Sequence, residues 1–423
     1  MLRQIGLVWG IAIGVGLLAG VAKAQEIERG TLKKLDLANK VIVISSGGKD
    51  RELALSDETR VLDAQGTTLA ERLQDFQAGA ELFFVAGMRD GQPVARGLKL
   101  AAPGERVPGA RPANPRGDGR PVSPEHASLK PLDELGTGMY HDFVGGFYPE
   151  GKNERPAAHE AAGLKLAAQV RPLDSQGQPD PAGKIVLLSI GMSNTSQSSQ
   201  GFQSALGRYD AKNPSLLFVN GAVGGMTAAA IRNPSDGGRG TQYWNEVDNR
   251  LKQAGVSREQ VQAVWIKQAN AGPTEGFPRY AQQLQADLKL IVQVVAQRFP
   301  KCRLCYLTSR TYGGFATTGL NPEPYAYESG FSVKWLIEEQ LGDDPALNYD
   351  PAKGAVKAPW LSWGPYFWAN GQTKRASDGF SWEQADFAAD GTHQSSSGQQ
   401  KVGTLLLDFF KSDSTAKGWF NKP

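Results

Sequence analysis

Lys184-Ile185-Val186-Leu187-Leu188-Ser189-Ile190-Gly191-Met192-Ser193-Asn194 opens on an almost unbroken apolar run and closes on a glycine and a hydroxyl. An apolar run of this length that does not alternate with polar residues is the pattern of a strand buried on both faces, which belongs in a parallel sheet. Ser215–Gly221, Ala263–Ala269 and Arg303–Ser309 repeat that grammar, and helix-like stretches such as Thr241–Gly255 and Tyr280–Phe299 stand between them. Strands alternating with helices predict an α/β domain in three α/β/α layers. Ligands of such sheets bind outside the carboxyl ends of the strands, so the residues just after each strand are the ones that carry function.

Those residues form a chemical set. Gly191-Met192-Ser193-Asn194 follows the first strand, and Asn220-Gly221-Ala222-Val223-Gly224-Gly225-Met226-Thr227 the second. Gln268-Ala269-Asn270-Ala271 follows the third, and Asp390-Gly391-Thr392-His393 precedes the last helix-like stretch, Gly398–Ser412. A serine hydroxyl at its free pKa is a weak nucleophile; it needs an imidazole to take its proton and a carboxylate to hold the imidazole's tautomer. Ser193, His393 and Asp390 supply these catalytic roles. Glycine N–H groups and a carboxamide are the donors that an oxyanion requires, and Ser193, Gly225 and Asn270 offer them.

In these four blocks the chain resembles the SGNH hydrolases, the GDSL-like lipases and esterases, over about residues 184–412. The resemblance implies a flavodoxin-like three-layer domain with a parallel sheet and a serine nucleophile at Ser193. Aligning the second block on Asn220 and Thr227 makes Gly225 its oxyanion glycine, with Gly224 one residue away. Asn270 matches the third block and Asp390 with His393 the fourth. The chain departs from the pattern at Met192, where the family has an acidic residue, and at Gln268 and Ala271 beside Asn270. An ordinary α/β-hydrolase would have Gly-x-Ser-x-Gly at its nucleophile, but the fifth position here is Thr195.

Further along, Arg310 and Tyr312 follow the Arg303–Ser309 strand and are candidates to hold a polar substrate. Trp360, Trp363, Tyr366, Phe367 and Trp368 crowd a loop punctuated by proline and glycine; Trp363 and Trp368 are candidate faces for a sugar ring, against the alternative that the cluster packs the loop onto the sheet. His126, His141 and His159 lack a compact ligand spacing, so no metal and no organic cofactor is expected. Cys302 and Cys305, the only cysteines, fall on a strand, where residues three apart face opposite ways; two separate thiols are favoured over a disulfide.

Towards the amino terminus, Arg3, the apolar run Ile5–Val21 and Ala22-Lys23-Ala24 read as a signal peptide over 1–24, which predicts a secreted chain, periplasmic or extracellular, without stable membrane insertion after cleavage. Residues 26–101 alternate apolar and polar in short strands around one helix-compatible piece, Thr68–Gly79, and predict a small all-β, OB-like barrel whose partner is unassigned. Residues 102–124 carry six prolines and four glycines and read as a linker, leaving 125–423 for the hydrolase-like domain. Lys and Arg number 46 against 43 Asp and Glu, too even a balance for a partner of nucleic acid.

Together these features predict a secreted serine esterase acting on short-chain, acetyl-type esters, with an O-acetylated glycan or another small ester as substrate. Retention of all three triad residues and Asn270 argues against the rival expectation, a non-catalytic carbohydrate-binding or cell-envelope protein on a degenerate hydrolase fold.

Overall fold

The computed structural model describes residues 27–46, 49–56, 59–61, 68–89, 92–101, 126 and 128–422. The expected signal peptide, 1–24, and the expected linker, 102–124, lie outside the described residues. The chain divides into two compact units, Met1–Ala110 and Arg111–Pro423.

In the first unit, β1 (Ile27–Asp36), β2 (Val41–Ser46), β3 (Lys49–Ala54), β4 (Arg60–Val61), β5 (Glu81–Arg89) and β6 (Gln92–Leu100) follow the order β3-β2-β1-β5-β6-β4. A further pairing of β3 with β6, Ala54 opposite Val94, closes five long strands into a barrel. Alternation chooses the inside: Ile42 and Ile44 on β2 and Leu82 and Phe84 on β5 are buried, and they meet Leu32, Leu53 and Leu98 in one core. The helix expected over Thr68–Gly79 is the single turn α1 (Leu69–Arg72), started by a capping box in which Thr68 and Glu71 satisfy each other's backbone N–H. It stops early because the next turn tightens through Phe76 N–H to Leu73 O and leads into Gly79 at φ +90°.

In the second unit a two-strand hairpin, β7 (Met139–Tyr140) with β8 (Phe143–Val144), and α2 (Ala157–Ala167) precede the main sheet. That sheet contains β9 (Ile185–Gly191), β10 (Leu216–Asn220), β11 (Val261–Lys267), β12 (Leu304–Thr308) and β13 (Trp360–Trp363) in the order β10-β9-β11-β12-β13, all parallel. Counted along the chain this is 2-1-3-4-5, with the topological switch between β9 and β11. The fifth strand corrects the reading of the aromatic stretch as a loop. Proline and glycine flank Trp360–Trp363 closely, but its four residues are fully buried beside β12, and edge pairing to one neighbour suffices to hold a strand this short.

Register sorts the sheet's two faces. Ser189, Trp265, Tyr306 and Ser362 lie in one row and point one way. That face is covered by α3 (Ser193–Leu206), whose Ser199 bonds Ser189 at 2.9 Å, and by α7 (Ser396–Ser412), whose Phe410 packs edge-on to Tyr306. Ile190, Ile266 and Leu307 point the other way, are equally buried, and are left to α4 (Arg239–Gln253), α5 (Arg279–Arg298) and α6 (Tyr325–Leu341).

The contact between α3 and α7 matters most for the site. A Cβ on Gly201 would stand 1.9 Å from Gln399 O and one on Gly403 would stand 2.3 Å from Gly201 O, so the two helices touch backbone to backbone. The close contact joins the second half of α3, which starts at Ser193, to the first half of α7, which starts three residues after His393. Cys302 and Cys305 are separate free thiols, both buried, and burial pushes both pKa values up, Cys302 to about 12.

Candidate active site

Ser193 is the first residue of α3, reached directly from the buried β9, so its hydroxyl stands at the carboxyl end of the sheet and at the head of a 14-residue helix. Its Oγ lies 2.8 Å from His393 Nε2, and His393 Nδ1 lies 2.5 Å from Asp390 Oδ2. The other carboxylate oxygen, Oδ1, accepts the backbone N–H of Thr392 and of His393, each at 3.0 Å. Burial works to raise the Asp390 pKa, but the His393 ring and these two N–H groups outweigh it and hold the carboxyl at about 2. Asp390 is therefore ionised throughout the neutral range and faces one imidazole nitrogen while Ser193 faces the other. The tight turn that achieves this needs Gly391: its φ is +63°, and a Cβ there would lie 1.7 Å from Phe315 O.

The donors expected around an oxyanion sit on neighbouring strand ends. A Cβ on Gly224 would stand 3.8 Å from Ser193 Cβ, so this glycine faces the hydroxyl-bearing residue, and Gly225 follows with φ +74°. The N–H groups of Ser193, Gly224 and Gly225 have no acceptor among the described residues. The loop is held from outside, Arg239 donating to Gly225 O and Gln268 Nε2 to Met226 O at 2.9 Å. Asn270 is fixed by its own contacts: Oδ1 accepts Ala229 N–H at 2.9 Å and Nδ2 donates to the buried Asp287 at 2.6 Å, which leaves one amide proton. Asp287 is held in turn by Arg232 and Gln283.

Two residues beneath this site escaped the sequence reading. Lys267, the last residue of β11, is 1% exposed and donates to Asn194 Oδ1, while Asn194 Nδ2 donates to Thr392 O at 2.7 Å. Burial pushes the Lys267 amine far down, and the nearby Arg310 charge adds to the effect. The one available signal was a lysine ending the otherwise apolar run Val264-Trp265-Ile266.

Two of the expected substrate contacts are placed differently. Trp368 is wholly buried with its indole N–H on Glu323, and Trp363 is 3% exposed with its own on Phe147 O. Their faces are spent on packing, with Trp368 against Tyr327 and Trp363 against Phe147, so they offer no platform to a sugar ring; this corrects the expectation for both. Tyr312 and Arg310 are also buried, at 4% and 3% exposure. Among the histidines left out of the triad, His159 bonds Leu361 O at 2.7 Å and stacks on Trp360, and burial lowers its pKa.

No family model matches the chain, and no curated protein matches it. Solved structures do. A Bacteroides fragilis protein proposed to be an acylhydrolase is 11% identical, with 60% of this chain and 97% of that one covered at a TM-score of 0.33. A lipase from a goat rumen metagenome is 11% identical, with 55% of this chain and all of that one covered, also at 0.33. CusF from Escherichia coli is 14% identical, with 19% of this chain and 99% of that one covered at 0.16. Likenesses this distant assign no activity, and the functional reading rests on the geometry. Among the described residues, no helix is long and apolar enough to cross a membrane.

Proposed function

We propose that the chain is a secreted serine esterase of SGNH type that hydrolyses short-chain, acetyl-type esters, with O-acetylated carbohydrate as the substrate class. One observation carries the reading: Ser193 Oγ, His393 and Asp390 form an unbroken hydrogen-bonded line at the carboxyl end of a parallel sheet. In the reaction Ser193 Oγ attacks the ester carbonyl carbon while His393 Nε2 takes the hydroxyl proton and Asp390 stabilises the imidazolium. The carbonyl oxygen, now an oxyanion, accepts from the N–H of Ser193, from the Gly224-Gly225 pair and from the remaining amide proton of Asn270. Collapse expels the alcohol, which leaves with the proton from His393; water then repeats the sequence on the acyl-serine and releases the carboxylic acid.

The test is release of p-nitrophenol from acetyl, butyryl and octanoyl esters by the full chain and by a folded Ser193→Ala variant. The expected result is a preference for acetyl and a loss of at least about 10³-fold in the variant. Equal rates from the two proteins would overturn the assignment of the nucleophile.

A further inference from the structure

Arg310 lies within electrostatic reach of Asp390, and the hydrogen-bonding capacity of its guanidinium is unspent. The last register row of the sheet runs Gly191, Lys267, Thr308, and past the strand ends Ser193 and Arg310 each follow two residues after its outer members. The segment carrying Arg310 is tied to the catalytic turn, since Thr317 N–H donates to Asp390 O and Gly391 packs on Phe315.

The guanidinium has no hydrogen-bond acceptor among the described residues. Arg310 N–H bonds Ser329, but Nε is sealed from solvent without a partner, and the side chain is 3% exposed in all. Two carboxylates lie near enough to feel its charge, Glu323 and Asp390, and neither offers it an oxygen. Glu323 is committed to Gly313 N–H, Tyr327 N–H and the Trp368 indole, and Asp390 to His393 and Thr392. Lys267, also close, is spent donating to Asn194 and offers the fork no carboxylate. Burying a guanidinium with its planar fork of donors unused is costly, and the group that matches the fork is a carboxylate. A second orphan points the same way: Asn321 bonds Tyr280 OH and Asn270 O through Nδ2, while its Oδ1 is buried with no donor. An acceptor beside Asn270 and a fork of donors beside Asp390 together suit a hydroxyl and a carboxylate on one ligand.

We propose that Arg310 binds a carboxylate carried by the substrate, so that the ester hydrolysed sits on an acidic, uronate-type sugar rather than a neutral one. This rests on the esterase reading for the word substrate, but its test does not depend on turnover. The full chain bearing Ser193→Ala is titrated calorimetrically with a trisaccharide of galacturonate, with the matching trisaccharide of galactose, and with inorganic sulfate. The acidic trisaccharide is expected to bind at least about 10-fold more tightly than the neutral one, the worth of a charge-assisted bidentate contact. Sulfate is expected to compete only weakly. Adding Arg310→Gln, with folding checked by its melting transition, should abolish the preference; if that variant fails to fold, Arg310→Lys, which keeps the charge and loses the fork, should reduce it several-fold. Equal binding of the two sugars, no binding of either, a stronger response to sulfate, or a preference that survives the substitution would overturn the proposal. Loss of p-nitrophenyl esterase activity in the unsubstituted chain would overturn the esterase reading instead, and the two failures are separable.

Discussion

Lys267 donates its buried amine to Asn194 Oδ1, and the Asn194 amide in turn donates to Thr392 O, so one side chain joins the residue after Ser193 to the residue before His393. The brace spans β11, the head of α3 and the turn ahead of α7, which are the three places whose relative position sets the distance between Ser193 Oγ and His393 Nε2. Neither residue is placed to touch an ester. Both act by holding the residues that do.

Asn194→Ala and Lys267→Met should therefore lower kcat by about 10-fold to 10²-fold with little change in KM, because displacements near 1 Å carry costs of this size. The double variant should lose no more than the worse single one, since the two belong to one unit. A rise in KM at constant kcat, measured with p-nitrophenyl acetate, would contradict a positioning role.

Asp390→Asn should reduce kcat by about 10³-fold to 10⁴-fold while leaving the fold intact, because the amide cannot hold the His393 tautomer or balance the imidazolium. Steady-state kinetics alongside circular dichroism checks both halves of the expectation.

Gly391→Ala tests the turn rather than the carboxylate. Positive φ and the 1.7 Å approach to Phe315 O leave no room for a methyl group, so the turn must open and carry His393 away from Ser193. A loss of activity together with a destabilisation of about 1–3 kcal/mol is expected from denaturant titration.

These outcomes bear on what could be read from the sequence. The apolar run Ile185–Gly191 was legible because burial on both faces leaves no alternation, and the four blocks were legible because strand ends are where a parallel sheet presents its chemistry. The fifth strand was not: Trp360–Trp363 is too short to show a period, and its flanking proline and glycine imitate a loop. Trp363 and Trp368 misled because aromatic residues suit a sugar face and a core equally well, and only burial separates the two. The Lys267 brace was invisible because Lys267 and Asn194 lie 73 residues apart in sequence and Asn194 and Thr392 lie 198 apart, so only the fold brings them together.

Glu328 gives a prediction on stability. It is 2% exposed with Oε2 unpartnered, and burial raises its carboxyl to about 7, opposed by the Tyr140 hydroxyl and reinforced by Glu323. Between its ordinary value of 4.5 and about 7 the folded chain keeps a proton that the unfolded chain releases, so stability falls as pH rises through that window and is level above it. Glu328→Gln mimics the protonated form. Its melting temperature relative to the unsubstituted chain should rise between pH 4.5 and pH 8, corresponding to at most about 3 kcal/mol. A difference that does not vary with pH, measured by calorimetry, would contradict the assignment.

The most direct measurement is reaction of the full chain with a fluorophosphonate, followed by peptide mapping of the adduct. A phosphonyl group is transferred to a serine only where a base and oxyanion donors activate it. A single adduct on Ser193, lost in His393→Gln, is the expected result. An unlabelled chain, or an adduct on another serine, would contradict it.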